Sequence, residues 1–246
     1  METVLSNSAF PPTRWTAVIA VQKRGDTTST SKALAELCEI YWYPLYSFAR
    51  RLGYNPHDCQ DLTQGFFCYV VDKDLFSTAD RDLGKLRTFL LTTFRRYLSG
   101  VRDHDKATKR GGQAQVVSLD LEVGEKRYAD EPVDSTTPEN LFERNWAYSV
   151  LRSALEALAE AEKKAGRGPQ YDILAPFLSP EFEVCDSYEV VGARLGVSEA
   201  GARQAVSRLR RKFRDLLRAQ IADTLRDPTG EQVNEELIAL REALQG

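Results

Sequence analysis

Apolar positions along this chain recur at helical spacing over most of its length. From about Ser31 to Lys109 the pattern is helical nearly throughout. Ala33, Leu34, Leu37, Ile40, Tyr41, Leu45, Phe48 and Leu52 fall at the intervals of three, four and seven that line one face of an amphipathic helix. Pro44 lies inside that stripe, so a kink or break is expected near Tyr43. Gly53-Tyr54-Asn55-Pro56 reads as a stop and a turn, with Asn55 or Asp58 capping the next helix and Pro56 in its first turn. That helix carries Leu62, Phe66, Phe67, Val70 and Val71. Leu83 to Val101 repeats the pattern with Leu86, Phe89, Leu90, Thr93, Phe94, Tyr97 and Leu98.

The segment after Lys109 breaks the rhythm. It holds Gly-Gly, two prolines and many polar residues, with a brief alternating patch at Val116 to Val123, and reads as a linker or loosely held connector. A new helix is expected at Thr137-Pro138-Glu139, with Thr137 as cap, running through Leu141, Trp146, Val150, Leu151, Leu155 and Leu158 to about Ala165. Gly166-Arg167-Gly168-Pro169 ends it. A short helix follows over Tyr171 to Leu178, closed by Ser179-Pro180. Strands do not alternate with helices, so the expected fold class is all-α, with two helical domains joined by a linker.

Ser187 to Arg218 carries the most local information. Val190, Val191, Ala193 and Leu195 give an apolar face, Gly196 supplies a sharp turn, and Val197 is expected to plug the corner between two helices. Ser198 stands where a cap belongs. The next helix turns Ala202, Ala205, Val206, Leu209, Phe213, Leu216 and Leu217 inward. This is the shape of a helix-turn-helix, whose second helix enters the major groove of DNA. The outward residues with Ser198 are Glu199, Ala200, Arg203, Gln204, Ser207, Arg208, Arg210 and Arg211. Arginine suits guanine and phosphate, and glutamine suits adenine. An ordinary helical hairpin with a basic surface is the competing reading.

Composition narrows the class further. The chain has 246 residues, 42% of them hydrophobic and 28% charged, enough to build one or two cores and too apolar for a wholly disordered chain. No run approaches the length of a membrane-spanning helix, and METVLSNSAFPPTRW lacks the form of a signal peptide, so a cytoplasmic protein is expected. His57, Cys59 and Cys68 lack the tight pairs of a zinc site, and Cys38 and Cys185 add none; no metal or cofactor is expected.

The formal net charge of −3 conceals segregation. Arg81 to Arg110 holds nine basic residues against three acidic, and Ser187 to Arg218 holds eight against three. Between them, Val117 to Asn145 is acidic, and so is Ala219 to Gly246. Two basic blocks fit two contact points on a polyanion, or two ordinary solvated helix faces; charge alone does not choose.

With those residues in view, a family can be named. Ser187 to Leu217 resembles region four of bacterial sigma factors, which reads the −35 promoter element. Independently, Leu37 to Val71 resembles sigma region two, and the acidic stretch Asp58-Cys59-Gln60-Asp61-Leu62-Thr63-Gln64-Gly65-Phe66-Phe67 is similar to the segment that docks on the polymerase. Gly84 to Asp103 looks like the segment that melts and holds the −10 element. Two matches in the family's order, without its middle region, resemble the extracytoplasmic-function (ECF) type within the sigma-70 superfamily.

The resemblance implies a division into an N-terminal extension at 1–30, region two at 31–110, a linker at 111–136, region four at 137–218 and an acidic helical tail at 219–246. It implies docking of Asp58, Asp61, Leu62, Gln64 and Phe67 on the beta-prime clamp of core RNA polymerase, with the beta flap as a further contact. It also implies −10 contacts from Lys85, Arg87, Phe89, Arg95, Arg96, Tyr97 and Arg102. Helix geometry requires some of those aromatics to face the core, and the positive end of a helix dipole alone accounts for Asp58 and Asp61. Gly65 departs from the family's Glu, which removes one docking charge. FPPTRW and the tail resemble an expanded variant. In the tail, Val233, Leu237, Leu240 and Leu244 form one stripe, with Glu231, Glu235, Glu236 and Glu242 around it. That helix is expected to pack on the basic region-four helix and restrain it, to contact polymerase, or to cap a domain core; an anti-sigma factor is a further partner the resemblance allows.

The expected function is therefore non-enzymatic: binding core RNA polymerase and directing it to promoter DNA. A stand-alone helix-turn-helix regulator is the alternative, though such proteins usually dimerise on paired half-sites. Asp58, Asp61, Asp72 and Asp74 could be imagined as a two-metal nuclease cluster, but no phosphate loop or nucleophile elbow accompanies them.

Overall fold

The computed structural model describes residues 27–73, 75, 85–105, 121–131, 137–178, 186–225 and 228–245. FPPTRW, Asp74, Lys106, Lys109, Arg110 and Cys185 lie outside the described residues. The fold is all-α. Its helices are α1 (Thr27–Arg51), α2 (Pro56–Asp72), α3 (Leu86–Asp105), α4 (Leu121–Ala129), α5 (Pro138–Lys164), α6 (Gly168–Leu174) with a 3-10 turn at Ala175–Leu178, α7 (Tyr188–Leu195), α8 (Glu199–Ala222) and α9 (Gly230–Gln245). Among the described residues, β pairing is confined to an isolated antiparallel bridge between Lys85 and Leu225.

Contacts divide the chain into two compact units: Met1–Ser149 with Ile221–Gly246, and Val150–Gln220. These borders differ from the expected ones in several places. The start of α5 belongs to the first unit, and so does the whole of α9.

The first unit closes around aromatic side chains. Tyr41, Tyr46, Phe48, Phe66, Phe94, Phe142 and Trp146 are fully buried, and Phe66 meets Phe94 edge-on at 4.9 Å. Burying each such ring contributes about 1.5–3 kcal/mol before entropy is counted. The break expected near Tyr43 does not occur, because α1 runs through Pro44 to Arg51. Every residue from Ile40 to Ala49 other than Pro44 and Ser47 is a buried apolar or aromatic side chain, and that packing outweighs the proline's cost of about 3 kcal/mol. The Ser47 hydroxyl donates to the Pro44 carbonyl at 3.0 Å, and buried Asn145 of α5 donates to Ser47 at 3.0 Å.

Part of the expected linker is a docked helix. Gly124 of α4 lies against the Trp42 ring so closely that an added Cβ would sit 3.0 Å from it. Glu125 accepts from Arg50 Nε at 2.8 Å and from the Tyr46 hydroxyl. Tyr43 donates to Glu131 at 2.9 Å, and Arg127 stacks over the Tyr43 ring at 3.7 Å. The acidic run thus has specific cationic and phenolic partners on α1.

The second unit is organised on Leu158, Leu174, Val191, Ala202, Val206 and Leu209, with Tyr171, Phe177, Tyr188 and Phe213 packed against them. Glu162 of α5 accepts from Arg167 Nε and from Lys212 Nζ, both at 2.6 Å, and its accessible surface is closed by these two cations. Arg167 foremost holds its carboxyl down, to about 2.

Candidate nucleic-acid interface

The helix-turn-helix is built from local backbone rules. Ser187 accepts from Val190 N at 3.3 Å and caps α7. Gly196 ends α7 at φ 68°, ψ 31°, the left-handed region where glycine carries no Cβ penalty. Val197 N then donates to Gly192 O at 2.9 Å. Gly192 is small because the turn lies on it: a Cβ there would sit 2.8 Å from the Val197 carbonyl oxygen. Ser198 accepts from Gly201 N at 3.2 Å and caps α8. Val197 does not plug the corner as expected. It remains 47% exposed and covers Gly201, while Val191 and Ala202 fill the space between the helices. Val190 and Ala193 are likewise exposed, so the inward face of α7 is narrower than the pattern implied.

The predicted outer residues of α8 do face outward. Ser198, Glu199, Ala200, Arg203, Gln204, Ser207, Arg208, Arg210 and Arg211 are all exposed. Arg210 Nε donates to the Phe177 carbonyl at 3.1 Å, which ties it to the edge of the unit. Arg208, Arg211 and Arg214 have no ion-pair partner among the described residues, so this face carries positive potential suited to phosphate.

On α3 the predicted residues separate. Arg95 and Arg96 are exposed, with Arg95 paired to Glu139 and lying 5.7 Å over the Phe48 ring. Tyr97 is half-buried, tilted against Phe66 at 5.8 Å and Tyr69 at 5.3 Å. Arg102 lies on the backbone of α3. Two expectations are corrected. Phe89 is a core side chain, and Arg87 is turned inward, 8% exposed. Arg87 stacks over the Trp146 ring at 4.3 Å and reaches Glu236 of α9 at 3.0 Å and Glu143 at 3.2 Å. Lys85 Nζ, partly exposed, also reaches Glu236, at 2.7 Å. Glu236, one of the acids around the apolar stripe of the tail helix, is 1% exposed, with these cations lying over it. While α9 is seated, Arg87 cannot reach a nucleic acid.

The residues expected to dock also separate by face on α2. Asp58 and Asp61 are exposed and Gln64 is half-buried, whereas Leu62 and Phe67 are buried in the first unit's core. Asn55 is the cap: its side chain accepts from Asp58 N at 2.9 Å and donates to the Asp58 carboxylate at 2.7 Å. Gly65 has a local reason. A Cβ there would lie 2.6 Å from the Tyr97 hydroxyl, so the missing side chain is where that hydroxyl rests.

Among the described residues no group of three or more His, Cys, Asp or Glu is placed to hold a metal ion, and no helix is long and apolar enough to cross a membrane. Burial pushes the Cys38 and Cys59 thiols up to about 12, which keeps them protonated and unreactive.

Fold and site together define an all-α protein that presents an arginine-bearing helix-turn-helix in one unit and a basic, aromatic helix in the other. The sequence is 25% identical over 191 residues to the ECF RNA polymerase sigma factor SigE of Mycolicibacterium smegmatis, a match covering 73% of this chain and 60% of that protein. The likeness supports the resemblance to ECF sigma factors. No family model matches the sequence, and no solved structure matches it.

Proposed function

We propose that this chain is an ECF-type sigma factor, a non-enzymatic subunit that binds core RNA polymerase and directs it to a two-part promoter. The observation that carries the reading is the outer face of α8, where Arg203, Gln204, Arg208 and Arg211 stand exposed on a helix that starts at the Ser198 cap just after the Gly196 corner. This face suits the major groove of the −35 element. Arg95, Arg96 and Tyr97 of α3, with Arg102 further along it, would hold the opened −10 strand. Stacking on an aromatic ring contributes about 1–3 kcal/mol per base, comparable to the cost of unstacking one. Asp58, Asp61 and Gln64 offer the polar side of a docking surface for the beta-prime clamp, and the second unit would meet the beta flap. Leu62 and Phe67 support that surface from the core.

Transcription in vitro with core RNA polymerase on genomic fragments, with mapping of start sites, tests the proposal. Added protein should stimulate initiation at a defined set of starts that share two spaced elements. Duplex binding without stimulated initiation would instead favour a stand-alone regulator, and the sigma reading would fall.

A further inference from the structure

Arg203 is held from two sides. Its guanidinium lies 4.5 Å over the ring of Tyr188, the first residue of α7. Tyr188 in turn stacks on Phe177 at 5.3 Å with an interplanar angle of 26°. Phe177 belongs to the 3-10 turn packed on the unit's core. The result is a three-layer pile: a half-buried phenylalanine packed against the core, a half-buried tyrosine and an exposed arginine. On its edge, Arg203 Nε and Nη2 donate to the same Glu199 oxygen at 3.2 and 2.6 Å.

A guanidinium is planar, with N–H groups on two usable edges. Glu199 occupies the edge formed by Nε and Nη2. The other edge, Nη1 with the second Nη2 hydrogen, remains for a planar acceptor pair, the arrangement that guanine N7 and O6 provide in the major groove. An exposed arginine without such supports would lose much rotamer freedom on binding; here that loss is taken during folding.

We propose that Tyr188 and Glu199 are positioning residues that set Arg203 to read one guanine, and that Tyr188 thereby governs sequence preference without touching DNA. This rests on the duplex-reading role given to α8 above. Val190 and Val197, though exposed beside the same turn, have no part in it, since neither supports a polar group.

The test uses holoenzyme assembled from the full chain and core polymerase, with promoter duplexes randomised over the upstream element. The position whose preference disappears in Arg203→Ala marks the Arg203 base pair, and guanine is expected there. Tyr188→Leu keeps apolar volume but removes the ring face; it should lower the preference at that position about 3- to 10-fold and leave other positions as they are. Tyr188→Phe keeps the face and should retain the preference. In the Arg203→Ala background, Tyr188→Leu should have no further effect on preference at any position. Unchanged preference in Tyr188→Leu, an equal loss at all positions, or a loss that persists in the Arg203→Ala background would overturn the positioning role. Absence of any upstream preference in the unmodified holoenzyme would overturn the duplex-reading role itself, and the inference with it.

Discussion

Glu236 of α9 closes on Arg87 of α3 at 3.0 Å, with 1% and 9% of the two side chains accessible. The guanidinium is flanked by a second carboxylate, Glu143, and faced by the Trp146 ring. Its Nη2 donates to Glu236 at 3.3 Å, while Nε and Nη1 lie at ion-pair distance but not in hydrogen-bond alignment, so attraction between buried charges and the ring's π face adds to that hydrogen bond. Removing Glu236 leaves the buried guanidinium with only the half-exposed Glu143 and the Trp146 ring to offset its desolvation. Glu236→Ala is expected to destabilise the first unit by about 3 kcal/mol, while the paired change Arg87→Met with Glu236→Leu should cost far less. Chemical denaturation of the full chain checks both. Equal losses in the single and double variants would contradict the account.

The Glu162 carboxyl is held down to about 2 from an ordinary 4.5. A depressed folded value means stabilisation that is present above the unfolded value and lost as the pH falls. The contribution should therefore be complete above pH 4.5 and vanish as the pH drops through about 2. Because Arg167 and Lys212 are largely solvated, screening limits it to about 1 kcal/mol. Glu162→Gln should lower the unfolding midpoint at neutral pH and converge with the parent chain in acid.

Gly192→Ala drives a Cβ to 2.8 Å from the Val197 carbonyl oxygen, an atom of the turn's own backbone. The corner must move, at a cost of about 1–3 kcal/mol. A thermal scan should show a lower midpoint, and duplex binding by α8 should weaken with it. Gly201→Ala meets the Val197 side chain at 3.1 Å and should be milder.

Arg208 and Arg211 should behave as phosphate contacts. Replacing either with Ala should weaken binding across sequences and reduce the slope of log affinity against log salt by about 1. Arg87→Ala should leave that slope unchanged, because Arg87 is enclosed by Glu236, Glu143 and Trp146. A changed slope for Arg87→Ala would show that α9 leaves its seat.

Gly65→Ala forces the Tyr97 hydroxyl from its place 2.6 Å from the new methyl group. The far end of one side chain can swing away, so stability should change by less than about 1 kcal/mol. Promoter opening should suffer more than stability, because Tyr97 is the half-buried ring of the α3 surface. Permanganate footprinting of the opened strand measures this directly.

Helices α2, α5, α7 and α8 were legible from short-range signals. Thr137 and Ser198 cap the helices they were expected to cap, Asn55 is the one of the two candidates, Asn55 and Asp58, that caps α2, and Gly196 adopts the left-handed turn; the Ser187 cap was not singled out. Such signals depend on neighbours within four residues. What was not legible depends on distant partners. Pro44 is tolerated because side chains from α2, α3 and α5 surround α1. Residues 121–129 form a helix because Glu125 and Gly124 find Arg50, Tyr46 and Trp42. Glu236 reads as a surface carboxylate until Arg87 and Lys85 are brought to it. The outer face of α8 was readable for the opposite reason: its residues have little to do with the core. On α3, where Arg87 and Phe89 are recruited inward, composition could not distinguish a structural cation from a binding one.

The two sides of α8 answer to different demands. Ala202, Val206 and Leu209 hold the unit together, while Gln204, Ser207 and Arg208 hold nothing in place. Changes on that free side alter no packing, so, with α8 reading duplex DNA as proposed, a gene duplicate could drift to new binding sequences with its architecture intact. Regulatory rewiring in such a lineage would then accumulate in a few solvent-facing codons.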